Sequence, residues 1–294
     1  MEWSIWTSYY HDVSLDKALE EFSKIGIKYV ELSSEHISEI FAVLGQTKYI
    51  DENRKEQAIS KVKSAGYRNA NELKEIMDSL GITMIHAHGP FEFRTEFILK
   101  LGNWKKYVNE KLTEWFKIYN ILNVPTVVIH PLINKEKHSV NIEDLNFEYF
   151  KTLKILASEY QINIAIENLK EGFGSKMKDL RKVIDSIGKD RIGICIDTGH
   201  ANIEVYKGKV HETFLEAGNY LIATHIHDND SSGDQHLLPG KGNIDWKKVF
   251  EAISKIGYKK PLNLEIPGET LEPLDKRRKK LKDFIKNYKN ILSL

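Results

Sequence analysis

The chain has 294 residues, 41% of them hydrophobic and 29% charged, with a formal net charge of +1, so it is long enough to bury a large core. That balance makes no global electrostatic case for nucleic acid or membrane, although steering depends on where charges sit, and the single cysteine, Cys195, excludes an internal disulfide framework and fits a reducing compartment. Met1-Glu2-Trp3-Ser4 does not open a signal peptide, no apolar stretch reaches the roughly 20 residues of a membrane helix, and the expected location is cytoplasmic.

Short apolar runs alternate with amphipathic stretches along the chain. The runs are residues 3–6, 29–32, 83–86, 126–130, 162–166, 192–196, 221–226 and 262–266. Several are rich in β-branched residues and nearly continuous in hydrophobicity, as parallel strands buried on both faces are. Between the second run and its helix, residues 35–68 form an extra segment of helical character. Before the fourth run, Trp104, Val108, Leu112, Trp115, Tyr119 and Leu122 recur at spacings of three and four, which makes one apolar stripe, and Asn103 is placed to cap it. Gly26, Gly81 and Gly257 each stand where a helix ends before the next strand. The lysine-rich stretch from about 274 to 291 reads as a solvated outer helix.

Eight strands alternating with helices predict an α/β fold, a (β/α)8 TIM barrel in one domain spanning 1–294, over an open doubly wound sheet. No GxGxxG follows the first strand, so a dinucleotide fold is weakly supported.

The chemistry gathers at the strand ends. Strand three ends in His86-Ala87-His88, four in Ile129-His130-Pro131, five in Ile166-Glu167-Asn168 and six in Asp197-Thr198-Gly199-His200. Strand seven runs into His225-Ile226-His227-Asp228 and then Asp234-Gln235-His236, and strand eight ends in Leu264-Glu265-Ile266-Pro267. In a barrel these ends converge on one face. A single His or Glu there is more often structural; six strand ends bearing carboxylate or imidazole together are not. So many uncompensated polar groups in one mouth would be costly, and a divalent cation offsets that cost. The mixed donors suit manganese or zinc first, with cobalt, iron or magnesium as alternatives.

The sequence resembles the xylose isomerase-like barrel superfamily, which includes sugar isomerases and epimerases and the endonuclease IV-type DNA repair enzymes (AP endonuclease family 2). The resemblance rests on Ile164-Ala165-Ile166-Glu167-Asn168, Cys195-Ile196-Asp197-Thr198-Gly199-His200, the run from His225 through Pro239-Gly240-Lys241-Gly242-Asn243-Ile244-Asp245-Trp246, and Leu264-Glu265-Ile266-Pro267. In the sugar branch the resemblance implies one metal held by Glu167, Asp197, His225 and Glu265. Glu167 and Glu265 then serve as catalytic acid and base beside a carbonyl, and His200 contacts a substrate oxygen; apart from the resemblance, His227, Trp6 and Lys241 are further candidates for contact with a small sugar. In the repair branch it implies further metal ligands at His88, His130, His200, Asp234 and His236, and a phosphodiesterase.

The opening Trp6-Thr7-Ser8-Tyr9-Tyr10-His11 differs from the Gly-Ala-His-Val-Ser start of the repair enzymes, and no basic stripe stands out for phosphate binding. The expectation is therefore a metal-dependent sugar isomerase or epimerase without nucleic-acid or membrane partners and with pairing of chains, the zinc phosphodiesterase and a lyase or dehydratase being the alternatives. His86 is read as structural, His11, His36, His138 and His211 as solvent or loop residues, Trp246 and Phe91 as core packing or an apolar wall, and 276–280 as a solvated helix face.

Overall fold

The computed structural model describes residues 2–133, 140–267 and 272–288. Eight strands, β1 (Trp3–Trp6), β2 (Tyr29–Leu32), β3 (Thr83–His88), β4 (Thr126–Ile129), β5 (Asn163–Glu167), β6 (Ile192–Asp197), β7 (Leu221–Ile226) and β8 (Leu262–Leu264), form a closed parallel barrel in chain order. β1 closes the ring by pairing with both β2 and β8. The helices are α1 (Leu15–Ser23), α2 (Ser34–Val43), α3 (Lys55–Lys61), α4 (Ala70–Leu80), α5 (Thr95–Lys100), α6 (Trp104–Ile121), α7 (Ile142–Glu159), α8 (Met177–Ile187), α9 (Thr198–Ala201), α10 (His211–Ala217), α11 (Trp246–Ile256) and α12 (Leu274–Asn287). The expected barrel is thus present, and no helix among the described residues is long and apolar enough to cross a membrane.

Local chemistry sets the helix ends. Asn103 Oδ1 accepts from Lys106 N at the start of α6, and Asn69 Oδ1 accepts from Asn71 N and Glu72 N at the start of α4. Gly81 and Gly257 close α4 and α11 in the left-handed conformation, which a side chain would strain. The apolar stripe of α6 buries Val108, Leu112, Trp115 and Tyr119 completely.

The main core fills the space between strands and helices, with Ile5, Val30, Met84, Val127, Ile164, Ile194, Ile226 and Leu264 on the strand side. A separate small cluster of Val128, Ala165, Cys195 and Ala223 belongs to the opposite, inward-facing phase of the strands. Two residues further along β5, β6 and β7 that inward phase reaches Glu167, Asp197 and His225. The site therefore stands on a floor of small side chains.

The extra segment between β2 and α4 contains α2 and α3. α2 is buried along nearly its whole length, and α6 clamps the stretch between α2 and α3: Trp115 Nε1 donates to Tyr49 O at 2.9 Å and Lys111 Nζ to Ile50 O at 3.3 Å. Two surface assignments change here. His36 lies in α2 and is fully buried, its ring against Ser33 Oγ and Val13 O. The basic run at 276–280 is only partly a solvated face: Arg277 is buried and forms a two-pronged ion pair with Asp12, both arms 2.8 Å, while Arg278 pairs with Glu21. His138 lies outside the described residues.

Candidate metal centre

Strand register decides which side chains meet at the mouth. Asp197 stands beside His225 across β6 and β7, His225 beside Asn263 across β7 and β8, and Glu167 beside Cys195. One donor atom from each of Glu167, Asp197, His225 and Glu265 falls in a group whose members lie within 4.8 Å of one another, and all four residues are buried. A second such group is His88, His130 and Glu167, so Glu167 belongs to both. Its Oε2 faces His130 Nε2 at 3.0 Å and His88 Nε2 at 3.4 Å, whereas its Oε1 faces His225 Nδ1 at 3.1 Å and His200 Nδ1 at 3.5 Å.

The remaining residues expected at the site lie alongside. Asp234 sits between two imidazoles, with His200 Nε2 at 3.2 Å from one oxygen and His236 Nε2 at 3.4 Å from the other. The third compact group, however, is His227, His236 and Glu265. His227, expected as a sugar contact, points Nε2 at Asp197 (3.0 Å) and packs its ring 4.0 Å from that of His236. Trp6 lies nearly parallel to His236, with ring centroids 6.4 Å apart. Lys241 is exposed and stands outside the cavity beside the centre. Trp246 is buried, with its indole N–H donated to Asp228 at 2.8 Å.

The imidazoles are oriented from behind. His88 Nδ1 is 2.9 Å from Gly89 O, His200 Nδ1 is 2.9 Å from Asn168 O, and His236 Nδ1 is 2.8 Å from Glu265 O. Each carbonyl can only accept, so that nitrogen donates to it, and Nε2 is the atom that faces the carboxylates. His225 is held the other way round: Nε2 meets Glu31 Oε2 at 3.0 Å, leaving Nδ1 for Glu167 and for Glu265 Oε2, which is 3.0 Å away. Glu31, fully buried on β2, also receives Asn263 Nδ2 at 3.1 Å and lies 3.4 Å from His86 Nδ1. Sequence reasoning missed Glu31. Its only signal is an acidic residue inside an apolar strand run.

The loop after β7 is fixed by one carboxylate. Asp228 accepts from Asn229 N, Gly240 N, Ile244 N and Trp246 Nε1. Asn229 ties this loop to the next turn by donating to Gly199 O and accepting from Asn202 Nδ2. A methyl group at Gly199 would come within 1.9 Å of the His227 ring, so only glycine lets that turn pass so close.

Electrostatics describe a site short of positive charge. Burial pushes the Glu31 carboxyl up, but His225 and His86 opposite bring it down to about 2. Glu167 is likewise opposed by burial and carried well below the usual range by His225 and His130. Burial lowers His200 and His236, yet Asp197, Asp234 and Glu167 bring His200 up to about 10, and Asp234 and Glu265 bring His236 up to about 9. Glu167 Oε2, Glu265 Oε2, His88 Nε2 and Asp234 Oδ1 are buried without a well-formed hydrogen bond among the described residues. Carboxylate oxygens and imidazole nitrogens gathered this closely, with their far sides anchored, are a donor set that fits divalent cations.

A family model described as xylose isomerase-like TIM barrel matches residues 19–288. An uncharacterized protein, y4fM, of Sinorhizobium fredii is 34% identical over 195 residues, covering 63% of this chain and 61% of that one, so the match spans under two thirds of that relative. The probable endonuclease 4 of Mycoplasma mycoides is 27% identical over 213 residues, covering 63% of this chain and 72% of that one. Among solved structures, a D-tagatose 3-epimerase-like protein superposes with a TM-score of 0.73 at 23% identity, covering 100% of this chain and 98% of that chain. The IolI protein with a bound zinc atom gives 0.72 at 18%, covering 100% and 98%. These two likenesses are likenesses of fold. The match over residues 19–288, on a closed eight-stranded barrel with its donors at the strand ends, places this chain in the xylose isomerase-like TIM barrel family.

Proposed function

We propose that the protein is a hydrolase of phosphoesters that works with two or more divalent cations. The observation that carries this reading is Glu167, whose Oε2 faces His88 and His130 and whose Oε1 faces His225, and which belongs to two separate groups of donors. A carboxylate so placed would serve as a donor to a cation in each group. The isomerase or epimerase expected from the sequence needs Glu167 to take up and return a proton at a substrate carbon, and a carboxylate engaged through both oxygens is poorly placed for that. Likeness to an endonuclease 4 supports the same direction.

Glu167, Asp197, His225 and Glu265 would hold one cation and Glu167 with His88 and His130 a second, and Asp234, His200 and His236 stand beside them as further donors. Such cations supply Lewis-acid charge to a phosphoryl group and make nearby water more acidic. The chain's own part is positional. Glu31 keeps the Nδ1 lone pair of His225 aimed inward, His227 orients Asp197, and Asp228 holds in place the loop that bears Asp234 and His236. The carbonyls behind His88, His200 and His236 fix which ring nitrogen carries the proton.

The test combines metal counting with two assays on the metal-loaded protein. At least two ions per chain and hydrolysis of bis-p-nitrophenyl phosphate are expected. One ion per chain, with solvent deuterium entering a ketose and no ester hydrolysis, would overturn the reading in favour of the sugar isomerase.

A further inference from the structure

Beside the metal centre lies a cavity of about 500 Å³. Its walls come from the loops after β3, β4 and β5, and His130, His200 and Asp234 reach it from the centre. Phe91 joins the two regions: its ring stacks on His88 at 4.1 Å and meets His130 edge-on at 5.5 Å. Phe93, Ile133 and Leu169 continue an apolar wall, and the charged rim balances, Arg94 and Lys170 standing with Glu96 and Glu171.

This shape and chemistry discriminate between kinds of phosphoester. Duplex DNA is held mainly through its phosphates by an extended positive surface, and among the described residues a rim of equal opposite charges, on a chain of net charge +1, supplies little of that. A concave, mostly apolar space of several hundred Å³ is the form of a small-molecule site. We propose that this cavity takes the organic part of a small phosphate ester, a compact alcohol with a flat apolar face, while the phosphoryl group lies at His130, His200 and Asp234. The proposal rests on the hydrolase reading and names its substrate class. Water adds at phosphorus, the P–O bond to the organic group breaks, and that oxygen leaves into the cavity as an alcohol with a proton from the water.

The first test needs no variant and no turnover. Phenylphosphonate and methylphosphonate are titrated into the metal-loaded protein by calorimetry. A phenyl ring buried against the apolar wall should give about tenfold tighter binding or more. Leu169→Trp, which fills the cavity, should abolish that preference, with metal content measured alongside. Equal affinity in the wild type, or a preference that survives Leu169→Trp, would overturn the cavity assignment and leave the hydrolase standing. So would incision of an abasic duplex with a higher kcat/KM than hydrolysis of p-nitrophenyl phosphate. If neither phosphonate binds and neither ester is cleaved, while deuterium enters a ketose, the hydrolase reading itself fails and the proposal with it.

Discussion

Glu31 shows how much of this site depends on residues that stand behind its candidate metal donors. It is fully buried, and its Oε2 serves His225, Asn263 and His86 together. A carboxylate behind a ligating imidazole fixes the ring and raises its basicity, and losing it commonly costs 10- to 100-fold in metal affinity, roughly. Glu31→Gln keeps the size and one acceptor oxygen while removing the charge, so the barrel should fold. Competition titration with a chromogenic chelator should then show the tightest cation bound about tenfold or more weakly, and wild-type affinity would remove Glu31 from the centre. The strand-end donors were legible in the sequence because parallel strands all deliver their ends to one face. Glu31 was not, because its meaning comes from a neighbour 194 residues away in the chain. The contact of His227 with Asp197 was not legible for a related reason: sequence spacing carries no register across the barrel.

Among the elements, all eight strands fall where the apolar runs predict, with ends shifted by up to two residues. The helical character expected of 35–68 is present in α2, but the fate of its polar residues was not legible. Ser34, Glu35, His36, Ser38 and Glu39 are all buried there, and Glu35, His36 and Glu39 answer groups of neighbouring elements. Glu39 is the plainest case: its Oε1 accepts from Leu15 N at the start of α1 (2.9 Å) and from Tyr67 O–H (2.8 Å), and Lys61 Nζ lies 3.7 Å from its Oε2. Burial pushes the Glu39 carboxyl up to about 7 from an ordinary 4.5, against the pull of Leu15 N–H and Lys61. Between those two values the folded state holds the proton that the unfolded state has released. The Glu39 contribution to stability therefore falls as pH rises through that window. In Glu39→Gln this dependence is absent, so the stability difference should move in the variant's favour between pH 4.5 and 7, by on the order of 3 kcal/mol. Urea unfolding of both proteins across that range measures it, and a pH-independent difference would assign the burial cost elsewhere.

At the scale of the whole molecule, the barrel's C-terminal mouth concentrates Glu31, Glu167, Asp197 and Glu265, all buried, with Asp234 beside them. Imidazoles offset part of this charge, as the upward displacement of His200 and His236 shows, but several buried oxygens still lack well-formed hydrogen bonds. Carboxylates so close destabilise the fold by mutual repulsion and lost hydration. A cation that binds only the folded chain reverses this by mass action, contributing about 4 kcal/mol when present at a thousand times its Kd. In a domain of this size each kcal/mol moves the unfolding midpoint by roughly 2–4 °C. Chelation should therefore lower Tm by on the order of 10 °C for each tightly held ion. Glu167→Ala should respond less than the wild type, because it takes a donor from two groups at once. Differential scanning calorimetry with and without a chelator reads both. An unchanged wild-type Tm would mean that the buried carboxylates are neutralised by the chain's own imidazoles and that the cluster stands without cations.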